Sequence, residues 1–278
     1  MTIELNKFEI PVSDQAAIRG DLRYQAGSIS ERPLVIIAHG FKGFKDHSFF
    51  PYLGEKLAED GFVTIVFNFS HNGIGSDSQE FDRLDLFKNN TFKREQDDLK
   101  ILLDKIESRA ITPSSVYRPN GIGLVGHSRG GVAVLTTGAR DSRVRAVATL
   151  ASLAHFPEFS KEDIDRWREE GVYYVENKRT GQMMPLGTEL LEEMLSQPDM
   201  IENAAKNLNK PLLVIHGDSD ETVPVAAANK LAAWAADSQL TIIKGAGHTF
   251  GAVHPFSGPT AELNEVVKEL SRFFGKTL

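Results

Sequence analysis

Ile122-Gly123-Leu124-Val125-Gly126-His127-Ser128-Arg129-Gly130-Gly131, running on into Val132-Ala133-Val134-Leu135, is the stretch on which the reading of this chain turns. Ile122–Val125 is a short apolar run of the kind buried on both faces of a parallel sheet. A G-x-S-x-G turn follows it, and an apolar helical run follows the turn. That context makes the pattern a nucleophile elbow: the turn is so tight that small residues are needed two positions either side of Ser128, whose Oγ then projects above the sheet. The helix that begins there aims its first amide N–H groups and positive dipole end at the same place. Gly121, Gly123 and Gly126 also spell G-x-G-x-x-G. A dinucleotide fingerprint must follow a strand and open a helix, whereas these glycines span the strand itself, so no nucleotide site is expected.

Working outward, the same kind of run recurs at 34–38, 62–69, 144–150, 212–215 and 240–243. Helical patterns lie between the runs at 48–60, 91–108, 225–237 and 260–274. In 91–108, Phe92, Leu99, Leu102, Leu103 and Ile106 form one stripe, with Arg94, Glu95, Asp97, Asp98 and Lys100 read as largely off it. Alternation of this kind predicts an α/β protein with a mostly parallel, doubly wound sheet. Residues 7–25 read as an antiparallel hairpin on the sheet edge. The segment 152–206 carries aromatic and Met residues but no convincing strand run, and is read as a small helical cap inserted into one domain spanning 1–278.

The chain has 278 residues, 41% hydrophobic and 25% charged, enough to bury a sizeable core. Its net charge is −7, with no basic run, which argues against a nucleic-acid partner. With no cysteine, disulfides, thiolate metal sites and a Cys nucleophile are excluded. No segment approaches the roughly 20 apolar residues of a membrane span, and the opening residues lack the order of a secretory signal. A cytoplasmic protein is expected.

Serine needs a base and an orienting acid. Behind an elbow of this type they follow in the order acid, then His, at the C-terminal ends of later strands. The run 212–215 leads into His216-Gly217-Asp218-Ser219-Asp220-Glu221-Thr222-Val223-Pro224, where Asp218, Asp220 and Glu221 are all candidates. The run 240–243 leads to Gly245-Ala246-Gly247-His248; His248 is preferred as base, and His254 is read as a loop or rim residue. Oxyanion donors are assigned to the backbone N–H of Arg129 and, from the loop His39-Gly40-Phe41-Lys42-Gly43, to that of Phe41.

Taken together, His39-Gly40-Phe41, the Gly-His-Ser-Arg-Gly elbow, the His-Gly-Asp-Ser-Asp-Glu-Thr-Val-Pro segment and the late Gly-His resemble the α/β-hydrolase superfamily. The chain is most similar to bacterial cinnamoyl/feruloyl-type serine esterases and to their dienelactone-hydrolase and acylaminoacyl-peptidase relatives, over essentially its whole length. The resemblance implies an α/β-hydrolase fold, selects Asp220 as the acid and supports Phe41 as an oxyanion donor. Dienelactone hydrolases proper use Cys, so their particular chemistry is not carried over to Ser128.

The expected activity is hydrolysis of small to medium carboxylic esters, with apolar or aromatic acyl groups, through an acyl-enzyme. Amide or thioester cleavage by the same residues, and a non-catalytic binding protein on a hydrolase fold, are the alternatives. His127, His71, Phe156, Phe159, Trp167 and Tyr174 are candidates to border the substrate pocket, although the aromatic residues equally suit a core of the cap's own. No cofactor and no metal is expected, since Asp218, Asp220 and Glu221 lack calcium-loop spacing. The expected partner is a small-molecule ester, with a homodimer left open.

Overall fold

The chain opens with an antiparallel hairpin, β1 (Ile3–Pro11) and β2 (Ala17–Gln25), in a computed structural model that describes residues 2–27, 31–76, 80–112 and 121–278. Then follow β3 (Leu34–Ala38), α1 (Phe50–Glu59), β4 (Val63–Asn68), a short α2 (Leu84–Lys88) and α3 (Phe92–Glu107). Next come β5 (Ile122–His127), α4 (Arg129–Arg140) and β6 (Val144–Leu150). After an inserted segment, β9 (Leu212–Gly217), α8 (Ala226–Trp234), β10 (Ser238–Ile243) and α9 (Ala261–Thr277) close the chain. Within the insertion lie α5 (Lys161–Glu170), β7 (Val172–Asn177), β8 (Gln182–Gly187), α6 (Thr188–Ser196) and α7 (Met200–Lys206).

Among the described residues, eight strands form one sheet in the order β1-β2-β4-β3-β5-β6-β9-β10, with β1 and β2 antiparallel at one edge and the rest parallel. Every residue of β3, β4 and β5 is buried, because the sheet is covered on both faces. The side chains of β3 alternate accordingly. Leu34, Ile36 and Ala38 join the core shared with α3, α4 and α8, while Val35 and Ile37 face the core made by α1 and α9. Parallel strands place all their C-terminal ends on one edge of the sheet, and the loops after β3, β5, β9 and β10 meet there.

Two expectations need correction. Glu95 and Asp98 are buried on the inner face of α3 despite being charged, Glu95 three and four residues from Phe92 and Leu99 and Asp98 four residues from Leu102. The insertion between β6 and β9 also contains strands, the β7–β8 hairpin with pairing from Val172↔Gly187 to Asn177↔Gln182. β7 is half exposed, with Tyr174 and Glu176 facing solvent between partly buried neighbours, and the buried stretch of β8 contains Pro185, so neither reads as a clean strand run. Trp167 anchors this unit. It is fully buried, stacks on Tyr173 with centroids 5.1 Å apart, meets Phe159 edge-on at 5.3 Å, and donates its indole N–H to the Leu186 carbonyl at 2.9 Å.

Candidate active site

The elbow is held by contacts that exclude side chains. A Cβ on Gly126 would stand 2.2 Å from the Gly130 carbonyl oxygen, and one on Gly130 would stand 2.4 Å from that of His39. Between them Ser128 adopts φ 54° and ψ −121°, a conformation an L-residue occupies at a cost of about 1–3 kcal/mol. Its N–H is fixed by the Leu150 carbonyl at 2.8 Å, and its side chain makes no capping bond to α4. Here local sequence rules correctly fail, as they do at functional positions.

The loop after β3 packs directly on this turn, since a Cβ on Gly40 would meet Ser128 Cβ at 3.0 Å. Buried His39 shapes the loop. Its Nδ1 lies 2.9 Å from the Gly40 carbonyl, while Nε2 accepts from the Phe69 N–H and the Asn72 amide, each at 3.4 Å. Burial pushes this imidazole down to about 4, which matches a neutral ring with one donor and one acceptor nitrogen. Among the described residues the N–H groups of Phe41 and Arg129 have no acceptor in the protein.

The acid loop separates its three candidates. Asp218 and Glu221 are exposed, whereas the Asp220 side chain is fully buried. Asp218 Oδ1 instead accepts from the Gly245 N–H at 2.6 Å, tying the two loops together. Asp220 Oδ1 accepts from the N–H groups of Thr222 and Val223 at 2.8 and 2.9 Å, and Oδ2 accepts from His248 Nδ1 at 2.8 Å. Burial alone would raise this carboxyl; the Val223 N–H and His248 outweigh it and hold it below its ordinary range. His248 is brought against the elbow, its ring centroid 4.7 Å from that of His127.

Two histidines support this arrangement. His127, buried and pushed down to about 3 by its burial first and by His248 next, donates Nε2–H to the His248 carbonyl at 2.8 Å. His216 donates Nε2–H to the Val223 carbonyl at 2.8 Å and lies 3.3 Å from Asp220 Oδ2. Burial lowers its pKa, in agreement with the buried Nδ1, which has no partner among the described residues. Sequence reasoning passed over His216. Its signal was a polar residue ending an otherwise apolar strand two positions before an Asp.

Arg129 contributes more than its N–H. Its guanidinium lies 4.2 Å from the Phe92 ring centroid and 5.8 Å from that of Phe41, and its Nε bonds Glu95 Oε1 at 2.8 Å with both side chains buried. Burial pushes the Glu95 carboxyl up, with Arg129 working against that. Removing one member of a buried pair strands the other charge. Glu95→Ala is accordingly expected to lose about 3–5 kcal/mol in urea unfolding, and Glu95→Ala/Arg129→Met to recover most of it. A single variant as stable as wild type would show that the pair contributes nothing.

The remaining pocket candidates are dispersed. His71 Nδ1 lies 2.7 Å from Ser70 Oγ, which also bonds buried Asp98 at 2.9 Å, and burial pushes His71 down to about 4. Phe156 packs on Phe92 with centroids 4.7 Å apart. Phe159 and Trp167 belong to the insertion's own aromatic core, so Trp167 lines no open surface; Tyr174 is exposed on the hairpin. His254 accepts from the Ser48 N–H at 3.0 Å and stacks on His47. A mainly apolar groove of about 220 Å³ runs beside the acid loop, lined by Leu153, Ala154, Val223, Pro224 and Ala227 among others.

With this geometry in place, comparison with known proteins gives the class. The profile of the alpha/beta hydrolase family matches residues 35–266, and the chain belongs to that family. Among solved structures it is similar to Est1E from Butyrivibrio proteoclasticus with ferulic acid bound, at 20% identity and a TM-score of 0.74, covering 97% of this chain and 98% of that one. It is also similar to a dienelactone hydrolase from Anabaena variabilis, at 19% identity and a TM-score of 0.62 over 99% of both chains. The alpha/beta hydrolase GrgF from a Penicillium species aligns at 17% identity with a TM-score of 0.74, over 99% of both chains. No curated protein matches the chain by sequence. Among the described residues, no helix is long and apolar enough to cross a membrane.

Proposed function

We propose that the protein is a serine carboxylic-ester hydrolase. In this reading Ser128 Oγ attacks the ester carbonyl while His248 takes its proton. Asp220, held ionised, keeps the Nδ1–H tautomer and stabilises the imidazolium. The N–H groups of Phe41 and Arg129 receive the oxyanion, and the alcohol leaves with the proton returned by His248. Water then attacks the acyl-enzyme through the same base and releases the acid. The observation that carries the reading is the bond from His248 Nδ1 to the buried Asp220, with the His248 ring packed against His127, the residue before the strained Ser128.

Val223 and Pro224, which follow Asp220 in the chain, line a mainly apolar groove of about 220 Å³, and a small to medium apolar acyl group is the class of substrate proposed for this side of the molecule. The likeness to Est1E, whose structure holds ferulic acid, supports adding an aromatic acyl ester to the test. Trp167 and Phe159 supply no separate argument for aromatic specificity, because they fill the insertion's core.

The test is a panel of matched ester, thioester and amide substrates, using p-nitrophenyl acetate, butyrate and octanoate with methyl ferulate alongside. Esters are expected to turn over at least about 10²-fold faster than the matched amide, with the rate peaking at intermediate chain length. An amide or thioester outrunning its ester would reassign the leaving group. Failure of a fluorophosphonate to label Ser128, with no turnover of any substrate, would favour a binding role.

A further inference from the structure

The tip of the β7–β8 hairpin crosses the loop that carries Phe41, and cations gather where they meet. Lys42, the residue after Phe41, adopts φ 56° and donates Nζ–H to the Glu176 carbonyl at 3.0 Å. The same ammonium lies 5.4 Å from the Phe41 ring centroid. Two and three residues past Glu176 come Lys178 and Arg179, and Arg179 Cζ sits 5.7 Å from the ring centroid of Phe44. Phe44 in turn meets His47 and His254 edge-on, with centroids 5.3 and 5.5 Å away. Through Phe44 the patch is linked on one side to the loop that carries Phe41 and on the other to His254, six positions past His248.

This turn is built rather than loose. The buried Asn177 accepts the Arg179 N–H on Oδ1 at 3.2 Å, and its carbonyl accepts the N–H groups of Thr180 and Gly181 at 3.0 and 2.8 Å. Gln182 Nε2 anchors the next residue to the Phe81 carbonyl at 2.9 Å. Holding like charges together on a fixed turn costs stability unless a counter-charge arrives. Burial first, then Lys178 and Arg179, push the Lys42 ammonium down, with only Glu176 opposing. Arg179 is exposed at the tip, and the partial desolvation that lowers its guanidinium is offset by no carboxylate. A chain of net charge −7 has carboxylates to spare, yet among the described residues none forms an ion pair with Lys42, Lys178 or Arg179.

We propose that Lys42, Lys178 and Arg179 form an anion subsite at the mouth of the active site, and that the natural ester carries a carboxylate a few bonds from its scissile carbonyl. The inference rests on the serine-esterase reading and narrows its substrate class. An ester oxygen bound at the Phe41 N–H has the patch starting one residue away, so its carboxylate would replace the missing counter-charge. The compact pre-organised turn means little ordering is required at binding.

The test compares two matched pairs by pH-stat or absorbance: mono-p-nitrophenyl glutarate against p-nitrophenyl valerate, and 3-carboxypropyl butyrate against butyl butyrate. In at least one pair the anionic ester is expected to show about tenfold higher kcat/KM at low salt, mainly through KM, and to lose that advantage as ionic strength rises. Lys178→Ala/Arg179→Ala should abolish the preference while leaving the neutral ester's rate unchanged, and Lys178→Glu/Arg179→Glu should invert it. The neutral ester serves as the control for folding. Equal kinetics within both pairs, or a preference that survives the double substitution, overturns the subsite alone. No turnover of any of the four esters overturns the esterase reading and the subsite with it.

Discussion

Ser128→Ala is expected to lower kcat/KM for p-nitrophenyl butyrate by about 10⁴–10⁶ and to leave the fold intact. The two halves of that result have separate origins. Ser128 Oγ makes no capping bond to α4, so its removal leaves no orphaned backbone donor. Ala must still adopt φ 54°, a strain the wild-type serine already bears, so urea unfolding should shift by less than about 0.5 kcal/mol. Activity collapses because His248 is left with no hydroxyl to deprotonate. A residue of about 10³-fold over the uncatalysed reaction should persist, since the N–H groups assigned to the oxyanion belong to Phe41 and Arg129, whose backbones are untouched. Equal faint rates for wild type and variant would remove Ser128 from the mechanism for esters. A variant that also failed to fold would be uninformative on its own. Ser128→Gly, which relieves the positive φ, therefore accompanies it and should be equally inactive while no less stable.

How much of this was legible before the structure follows from what each residue had to satisfy. Strands β3, β4 and β5 could be read because burial on both faces demands unbroken apolar runs, and the elbow could be read because steric contact leaves only glycine at 126 and 130. Asp220 was chosen over Asp218 and Glu221 only through a family resemblance. The physical distinction is that Asp220 alone is buried with two N–H donors on one oxygen, a property of the folded loop that spacing does not encode. Glu95 and Asp98 were misplaced for the opposite reason. Their spacing did put them on the buried stripe of α3, and their charge argued otherwise; each is accommodated by a distant partner, Arg129 for one and Ser70 for the other. The β7–β8 hairpin hid because β7 is half exposed and the short buried run of β8 contains Pro185, a residue that argues against a strand. The patch at its tip was invisible for a related reason, since Lys42 and Arg179 are 137 positions apart and only the folded hairpin brings them together.

The second large effect concerns Asp220. Asp220→Asn is nearly isosteric, and the amide oxygen can go on accepting the Thr222 and Val223 N–H groups, so the loop keeps its shape. The amide NH₂ then faces His248 Nδ1 where a carboxylate oxygen stood at 2.8 Å. A donor there selects the tautomer with Nε2 protonated, which cannot accept the Ser128 proton. The expected loss in kcat is about 10⁴ with KM little changed. Asp218→Asn keeps an acceptor for the Gly245 N–H and should cost less than about tenfold, which separates the acid from its neighbour. If Asp220→Asn retained more than a tenth of the activity while Asp218→Asn or Glu221→Gln lost most of it, the acid would have to be reassigned. Stability adds an independent reading with a definite sign. The folded carboxyl is held below its ordinary value of 3.8, so folding favours the ionised form. That contribution is complete above the unfolded value and disappears as pH falls through the lower folded one. The stability advantage of wild type over Asp220→Asn should therefore be constant from pH 8 down to about 5 and shrink below about 4. A gap that stayed constant into acid would mean that the Asp220 charge makes no net contribution to folding. The kinetic loss would then have to come from the position of His248 alone, measurable as a displaced imidazole tautomer in ¹⁵N spectra of the variant.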